Sequence, residues 1–150
     1  MAYGFTIQRR VEFSETDMAG IVHFSNFFRY MESVEHAFFR SLGLSIAPKG
    51  ADSVGWPRVH ADFDYRRPLR FEDTFEVDLL VREKRERSLV YTIIVRKTNA
   101  DAEEVARGSL AVACVRKDPV TGTMASVAIP AEIGELIEAA PAELLAGGRR

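Results

Sequence analysis

The sequence predicts an α+β domain in which a curved antiparallel sheet wraps around one long helix. Two observations carry this. Apolar residues recur at spacings of three and four through "NFFRYMESVEHAFFRSL", residues 26–42. Beyond it lie four segments in which apolar and polar residues alternate, the pattern of strands with one buried face. A single long helix needs a broad apolar surface to cover its stripe, and sheet is what the rest of the chain offers. With 150 residues, 47% of them hydrophobic, the chain suits one domain spanning 1–150.

The elements follow in order. "FTIQRRVEF" alternates from Phe5 to Phe13, with Phe5, Ile7, Val11 and Phe13 on one face and Arg9 the exception within it. The helix spans Asn26–Leu42 and carries Phe27, Tyr30, Met31, Val34, Ala37, Phe38 and Leu42 on its stripe. Ser25 or Asn26 caps its start, Arg40 complements the dipole at its end, and Gly43 supplies the stop. "SIAPKGADSVGWP" lacks periodicity and reads as a loop that brings Trp56, Pro57 and Arg58 beside the helix start. Val59, Ala61 and Phe63 then share a face, as do Phe75, Val77, Leu79 and Val81, and Leu89, Tyr91, Ile93 and Val95. The segments Phe75–Glu83, Ser88–Thr98 and Glu104–Lys117 read as a meander of neighbouring antiparallel strands. "PVTGTM" is a turn and "ASVAIP" a short extended exit. Ala131–Ala140 reads as a short helix with Ile133, Leu136, Ile137 and Ala140 on one stripe, and the tail "LLAGGRR" as a frayed end. Such a sheet has open edges, so a homodimer that joins edges into one continuous sheet is expected, or a homotetramer built from two dimers.

Charge and composition exclude several classes. Twenty basic residues against 22 acidic ones give a net charge of −2, so no global field attracts nucleic acid or a membrane surface. "MAYGFTIQRRVEFSE" has no continuous apolar core of a signal peptide, and no apolar run reaches the roughly 18 residues of a membrane span, so a cytoplasmic location is expected. Cys114, in "SLAVACV", is the only cysteine and reads as a small buried hydrophobe. His23, His36 and His60 have no metal-ligand spacing, and no metal is expected.

The stretch "FSETDMAGIVHFSNFFRY" places an acid, a turn glycine and a helix start within ten residues. Asp17 is read either as a turn or capping carboxylate or as a base or nucleophile. The helix start offers N–H groups with positive dipole character, and Gly20 allows a sharp turn or close approach to a ligand. Glu15 is a second carboxylate, and Ser14 and Thr16 read as turn residues. Asn26 either holds the loop or contacts a ligand. His23 either lines a pocket or orients Asp17.

This stretch resembles hot-dog-fold acyl-CoA thioesterases of the 4-hydroxybenzoyl-CoA thioesterase type. The recognisable form is T-D-x-x-G-I/V-V followed by an Asn and helix aromatics, matched here by Asp17, Gly20, Ile21, Val22 and Asn26, with Phe24 in the aromatic tract. The likeness extends through "RPLRFEDTFEVDLLV" and "VAIPAEIGELI". It implies a hot-dog fold and thioester hydrolysis without a cofactor. It also implies Asp17 as catalytic carboxylate, the Phe24 backbone N–H as the group that polarises the carbonyl, and active sites shared between sheet-paired subunits. Acyl-CoA is the implied partner. Its phosphates favour a basic rim, for which Arg85, Arg87 and Ser88 in "VREKRERSLV" match the family's basic turn, though Glu86 interrupts it. Arg66 and Arg67 are the second candidates. Trp56 either covers an acyl group or anchors its loop. Two other functions stay open: an acyl-CoA-binding or scaffold protein without hydrolysis, and a dehydratase or hydratase acting on acyl thioesters. The intact Asp17 motif favours hydrolysis, and His23 with Glu35 lacks an obvious spacing for the dehydratase pair.

Overall fold

A computed structural model describes residues 1–50 and 53–146. Five strands, β1 (Gly4–Arg10), β2 (Arg58–Tyr65), β3 (Thr74–Lys84), β4 (Ser88–Lys97) and β5 (Glu104–Ala113), form one antiparallel sheet in the order β1-β3-β4-β5-β2. The helix α1 (Asn26–Ser41), about 24 Å long, packs against it. This is the α+β hot-dog arrangement the sequence predicts. No helix among the described residues is long and apolar enough to cross a membrane.

Alternation explains the core. Phe75, Val77, Leu79 and Val81 of β3 are fully buried, as are Leu89, Tyr91, Ile93 and Val95 of β4 and Leu110 and Val112 of β5. They meet Phe27, Tyr30, Met31, Val34, Phe38 and Phe39 of α1. At roughly 25 cal/mol per Å² of apolar surface, this burial is the main favourable term in folding. Cys114 is buried, as expected. Gly108 is required where β5 meets β2, since an added Cβ would lie 1.9 Å from the Asp62 carbonyl oxygen and 2.8 Å from the Phe63 ring.

Several boundaries differ from the sequence expectation. The first strand ends at Arg10, because Phe13–Glu15 turns into a short 3-10 helix and leaves Phe13 74% exposed. Arg9 is part of the inward face: it reaches Ser33 (3.3 Å), lies over the Tyr30 ring (5.6 Å) and faces Glu15 (3.8 Å). Neither Ser25 nor Asn26 caps α1 with its side chain. Main-chain bonds from Asn26, Phe27 and Phe28 to the carbonyls of His23, Phe24 and Ser25 satisfy the first N–H groups instead. The stop at Gly43 holds: its φ is +77°, and the Leu44 N–H reaches the Phe39 carbonyl (2.9 Å).

The expected strand Glu104–Lys117 breaks at Cys114, and β6 (Val115–Lys117) pairs with β7 (Met124–Ser126) in a separate hairpin. Only Ala131–Gly134 (α2) of the expected helix to Ala140 is helical. Beyond it the chain bonds to Ala2 on both sides, through the Leu136 carbonyl and the Glu138 N–H, and this extended pairing ends the helix. Within the tail, Ala142–Leu145 forms α3, while residues 147–150, part of the segment expected to fray, lie outside the described residues.

A register shift between Arg58 and His60 reverses the expected facing of Val59, which is 64% exposed, and turns Arg58 toward α1. Its guanidinium donates to both oxygens of the fully buried Glu35 (2.5 and 3.2 Å). Burial pushes the Glu35 carboxyl up, against the downward pull of Arg58. Strand β2 runs antiparallel to α1, so Trp56 packs on Phe39 near the helix end (5.6 Å) and not beside its start. The residue that β2 brings to the start is Tyr65.

Candidate active site

The segment between Thr16 and Val22 is a small closed loop. These two residues form an isolated bridge, the Asp17 N–H reaches the Ile21 carbonyl (2.9 Å), and the Gly20 N–H reaches the Asp17 carbonyl (2.9 Å). Gly20 has φ +80° and open space around it, so its role here is conformational. The Asp17 side chain is held at one oxygen: Oδ1 accepts the Ala19 N–H (2.9 Å), and Oδ2 has no partner among the described residues. The loop is tied to the neighbouring strand connection by the Val22 N–H on the Leu69 carbonyl (2.8 Å).

The helix start follows at once. His23, Asn26, Phe27 and Phe28 all have main-chain acceptors for their N–H groups, and the Ser25 N–H lies 3.3 Å from His23 Nδ1. The Phe24 N–H alone in this run has no acceptor among the described residues. The Phe24 carbonyl accepts from the Phe27 N–H (3.1 Å) and from the Tyr65 hydroxyl (3.2 Å). Asp17, Phe24, Phe27, Tyr65, Arg66 and Leu69 line one cleft of about 500 Å³. Its walls are aromatic, with Phe24 and Phe27 both edge-on to Tyr65 (6.4 and 5.1 Å). An open carboxylate oxygen and a main-chain donor on an apolar, aromatic cleft are the parts that acyl transfer needs.

The other sequence candidates divide. His23 stacks on Phe24 (4.6 Å) and its Nδ1 meets Ser25 Oγ (2.8 Å); no hydrogen bond joins it to Asp17 among the described residues. Asn26 donates to the Glu15 carbonyl (2.8 Å). Glu15 points inward to Tyr30 and Arg9, away from the cleft. Arg66 and Arg67 both line the cleft, where Arg66 pairs with Glu104 (3.0 Å) and Arg67 with Glu103 (3.3 Å). Arg85, Arg87 and Ser88 are at the β3–β4 hairpin, where Arg85 pairs with Glu83 (2.7 Å) and Arg87 donates to the Ser126 carbonyl (3.0 Å). The start of β3 is beside Val11, next to the Asp17 loop, so eleven strand residues at about 3.3 Å each place the hairpin about 36 Å further along the strand within one chain. Tyr65 was missed by sequence reasoning. The signal was its shared parity with Ala61 and Phe63, which puts all three on the inner face of β2.

Comparison with known proteins agrees with this architecture. Residues 11–137 match the family model of the thioesterase-like superfamily. The crystal structure of a hypothetical protein from Aquifex aeolicus is 33% identical, superposes with a TM-score of 0.78, and is matched over 89% of this chain and 99% of that one. The 4-hydroxybenzoyl-CoA thioesterase of Pseudomonas sp. (strain CBS-3) is 29% identical over 103 residues, 65% of this chain and 72% of the relative. The 1,4-dihydroxy-2-naphthoyl-CoA hydrolase of Synechococcus elongatus is 34% identical over 77 residues, 50% of this chain and 57% of the relative. The chain therefore belongs to the thioesterase-like superfamily, as a hot-dog thioester hydrolase of the 4-hydroxybenzoyl-CoA thioesterase type.

Proposed function

We propose that this chain hydrolyses an acyl-CoA thioester to the free acid and coenzyme A. One observation carries the reading: Asp17 and Phe24 share a single cleft, and among the described residues one Asp17 carboxylate oxygen and the Phe24 N–H have no hydrogen-bond partner. The thioester carbonyl accepts from the Phe24 N–H, which stabilises the oxyanion that develops there. Asp17 then acts by one of two routes. As a nucleophile it attacks the carbonyl carbon, expels the CoA thiolate and forms a mixed anhydride that water cleaves. As a general base it takes a proton from the attacking water. Gly20 shapes the loop, and His23 holds Ser25 and the first turn in place.

The aromatic walls favour a flat acyl group, and the two named relatives act on aromatic acyl-CoAs. Arg66 provides a cation at the cleft. The more distant Arg85, Arg87 and Ser88 can serve the CoA phosphates through assembly. In a homodimer paired antiparallel across the β2 edges, the two-fold axis brings the partner's hairpin end beside this chain's helix start. Thiol release from aromatic, short-chain and long-chain acyl-CoAs tests the reading. Release without an unsaturated product, fastest on an aromatic thioester, is the expected outcome. Binding of acyl-CoA without thiol release across the panel would return the chain to a binding or scaffold role.

A further inference from the structure

We infer that Glu15 is a positioning residue that sets the separation between Asp17 and the Phe24 N–H, an inference that rests on the hydrolase reading above. Glu15 is two residues from Asp17, yet its side chain is only 14% exposed and turns into the protein. Its Oε1 accepts the hydroxyl of Tyr30 (2.9 Å) and the Glu12 N–H (2.9 Å), and Oε2 faces Arg9 (3.8 Å). Tyr30 is fully buried, so its hydroxyl needs an acceptor, and Glu15 is the one it has among the described residues. The Glu15 carbonyl meanwhile takes the His23 N–H (2.9 Å) and the Asn26 side-chain amide (2.8 Å).

These bonds join three things. The side chain pins the Glu12–Thr16 turn to the helix interior at Tyr30. The carbonyl pins the same turn to His23, whose own carbonyl accepts the Asn26 N–H (2.9 Å) and so fixes the peptide that carries the Phe24 N–H. Thr16, next in line, bonds the Phe13 carbonyl (2.7 Å) and bridges to Val22, which passes the constraint to Asp17. Removing the Glu15 carboxylate orphans a buried hydroxyl and releases the turn that holds Asp17 against the helix start. Glu15 itself is directed away from the cleft, so it acts through these two groups.

The test compares Glu15→Ala, Glu15→Gln and Tyr30→Phe with the parent and with Asp17→Asn. Turnover is measured on the preferred acyl-CoA, and affinity for a phenacyl-type CoA thioether, which keeps the carbonyl but resists hydrolysis. Glu15→Ala is expected to lower kcat about 30-fold, because misplacement by about 1 Å costs up to about 100-fold, with thioether affinity within about threefold of the parent. Glu15→Gln, whose amide oxygen still accepts the Tyr30 hydroxyl, should recover most of that loss. Tyr30→Phe should lower kcat with affinity unchanged, and it carries the same test if Glu15→Ala does not fold. The inference is overturned if Glu15→Ala or Tyr30→Phe turns over within twofold of the parent, or if Glu15→Gln is as defective as Glu15→Ala. A parent that binds acyl-CoA without releasing thiol would instead refute the hydrolase reading, and an active Asp17→Asn control would refute the role of Asp17 within it; an inactive control beside a fully active Glu15→Ala would refute this inference alone.

Discussion

The two ends of the seam between α1 and β2 differ in how their polar groups are used. At the helix middle, Arg58 and Glu35 form a bidentate pair, and Glu35 is fully buried. At the helix start, Tyr65 bonds the Phe24 carbonyl, but the Phe24 N–H and one Asp17 oxygen remain without partners among the described residues. Glu35 is on α1 and Arg58 and Tyr65 are on β2, while Asp17 and Phe24 are on the loop that leads into α1. The difference teaches that pairing, more than residue type, separates a group that holds the fold from one that is open to a substrate.

The comparison is broken most sharply by exchanging Asp17 for Asn. Turnover should fall about 10²- to 10⁴-fold, the range of a lost general base, while melting temperature stays near the parent value. At the other end, Arg58→Ala should cost about 3 kcal/mol in denaturant unfolding, the low end for a broken buried pair because Arg58 is a third exposed, with turnover of the folded protein within a few-fold. The pH dependence of that defect has a definite sign. Burial raises the Glu35 carboxyl above its unfolded value, so its protonation favours the folded state. The contribution is full below the unfolded value and lost as pH rises through the folded one. Without Arg58, the defect should therefore shrink as pH is lowered.

A smaller effect sharpens the helix start. Tyr65→Phe removes one hydrogen bond to the Phe24 carbonyl and should slow turnover about fivefold, about 1 kcal/mol, with substrate affinity nearly unchanged. The smallest belongs to the sheet rim. Glu104 is held below the usual carboxylate range by its hydrogen bonds from Arg107, then by the charges of Arg107 and Arg66, against burial. Its stabilisation is present above its unfolded value and lost as pH falls through the lowered one, so the stability gap between Glu104→Gln and the parent should close in acid.

Much of this was legible in the sequence because it is local or periodic. The helix and the β3–β4–β5 meander follow from two periods, and Asp17, Gly20 and Phe24 are adjacent in the chain. The bulge that turns Arg58 inward was not legible, because register depends on the partner strand. Glu35 did leave a trace. Phe27, Met31, Glu35 and Phe39 are four apart and all buried, so a carboxylate interrupts an apolar row and demands a distant cation. Tyr65 and Arg66 reach the cleft from about forty residues beyond Phe24, and only the strand order β1-β3-β4-β5-β2 brings them there.

The central claim, that the thioester carbonyl is received at the helix start, is tested most directly at one amide. In a nitrogen-labelled sample titrated with the phenacyl-type CoA thioether, the Phe24 amide proton should move strongly downfield as it gains an acceptor, while the already bonded amides of His23 and Asn26 move little. Saturated binding of the thioether with the Phe24 amide unmoved would contradict the account.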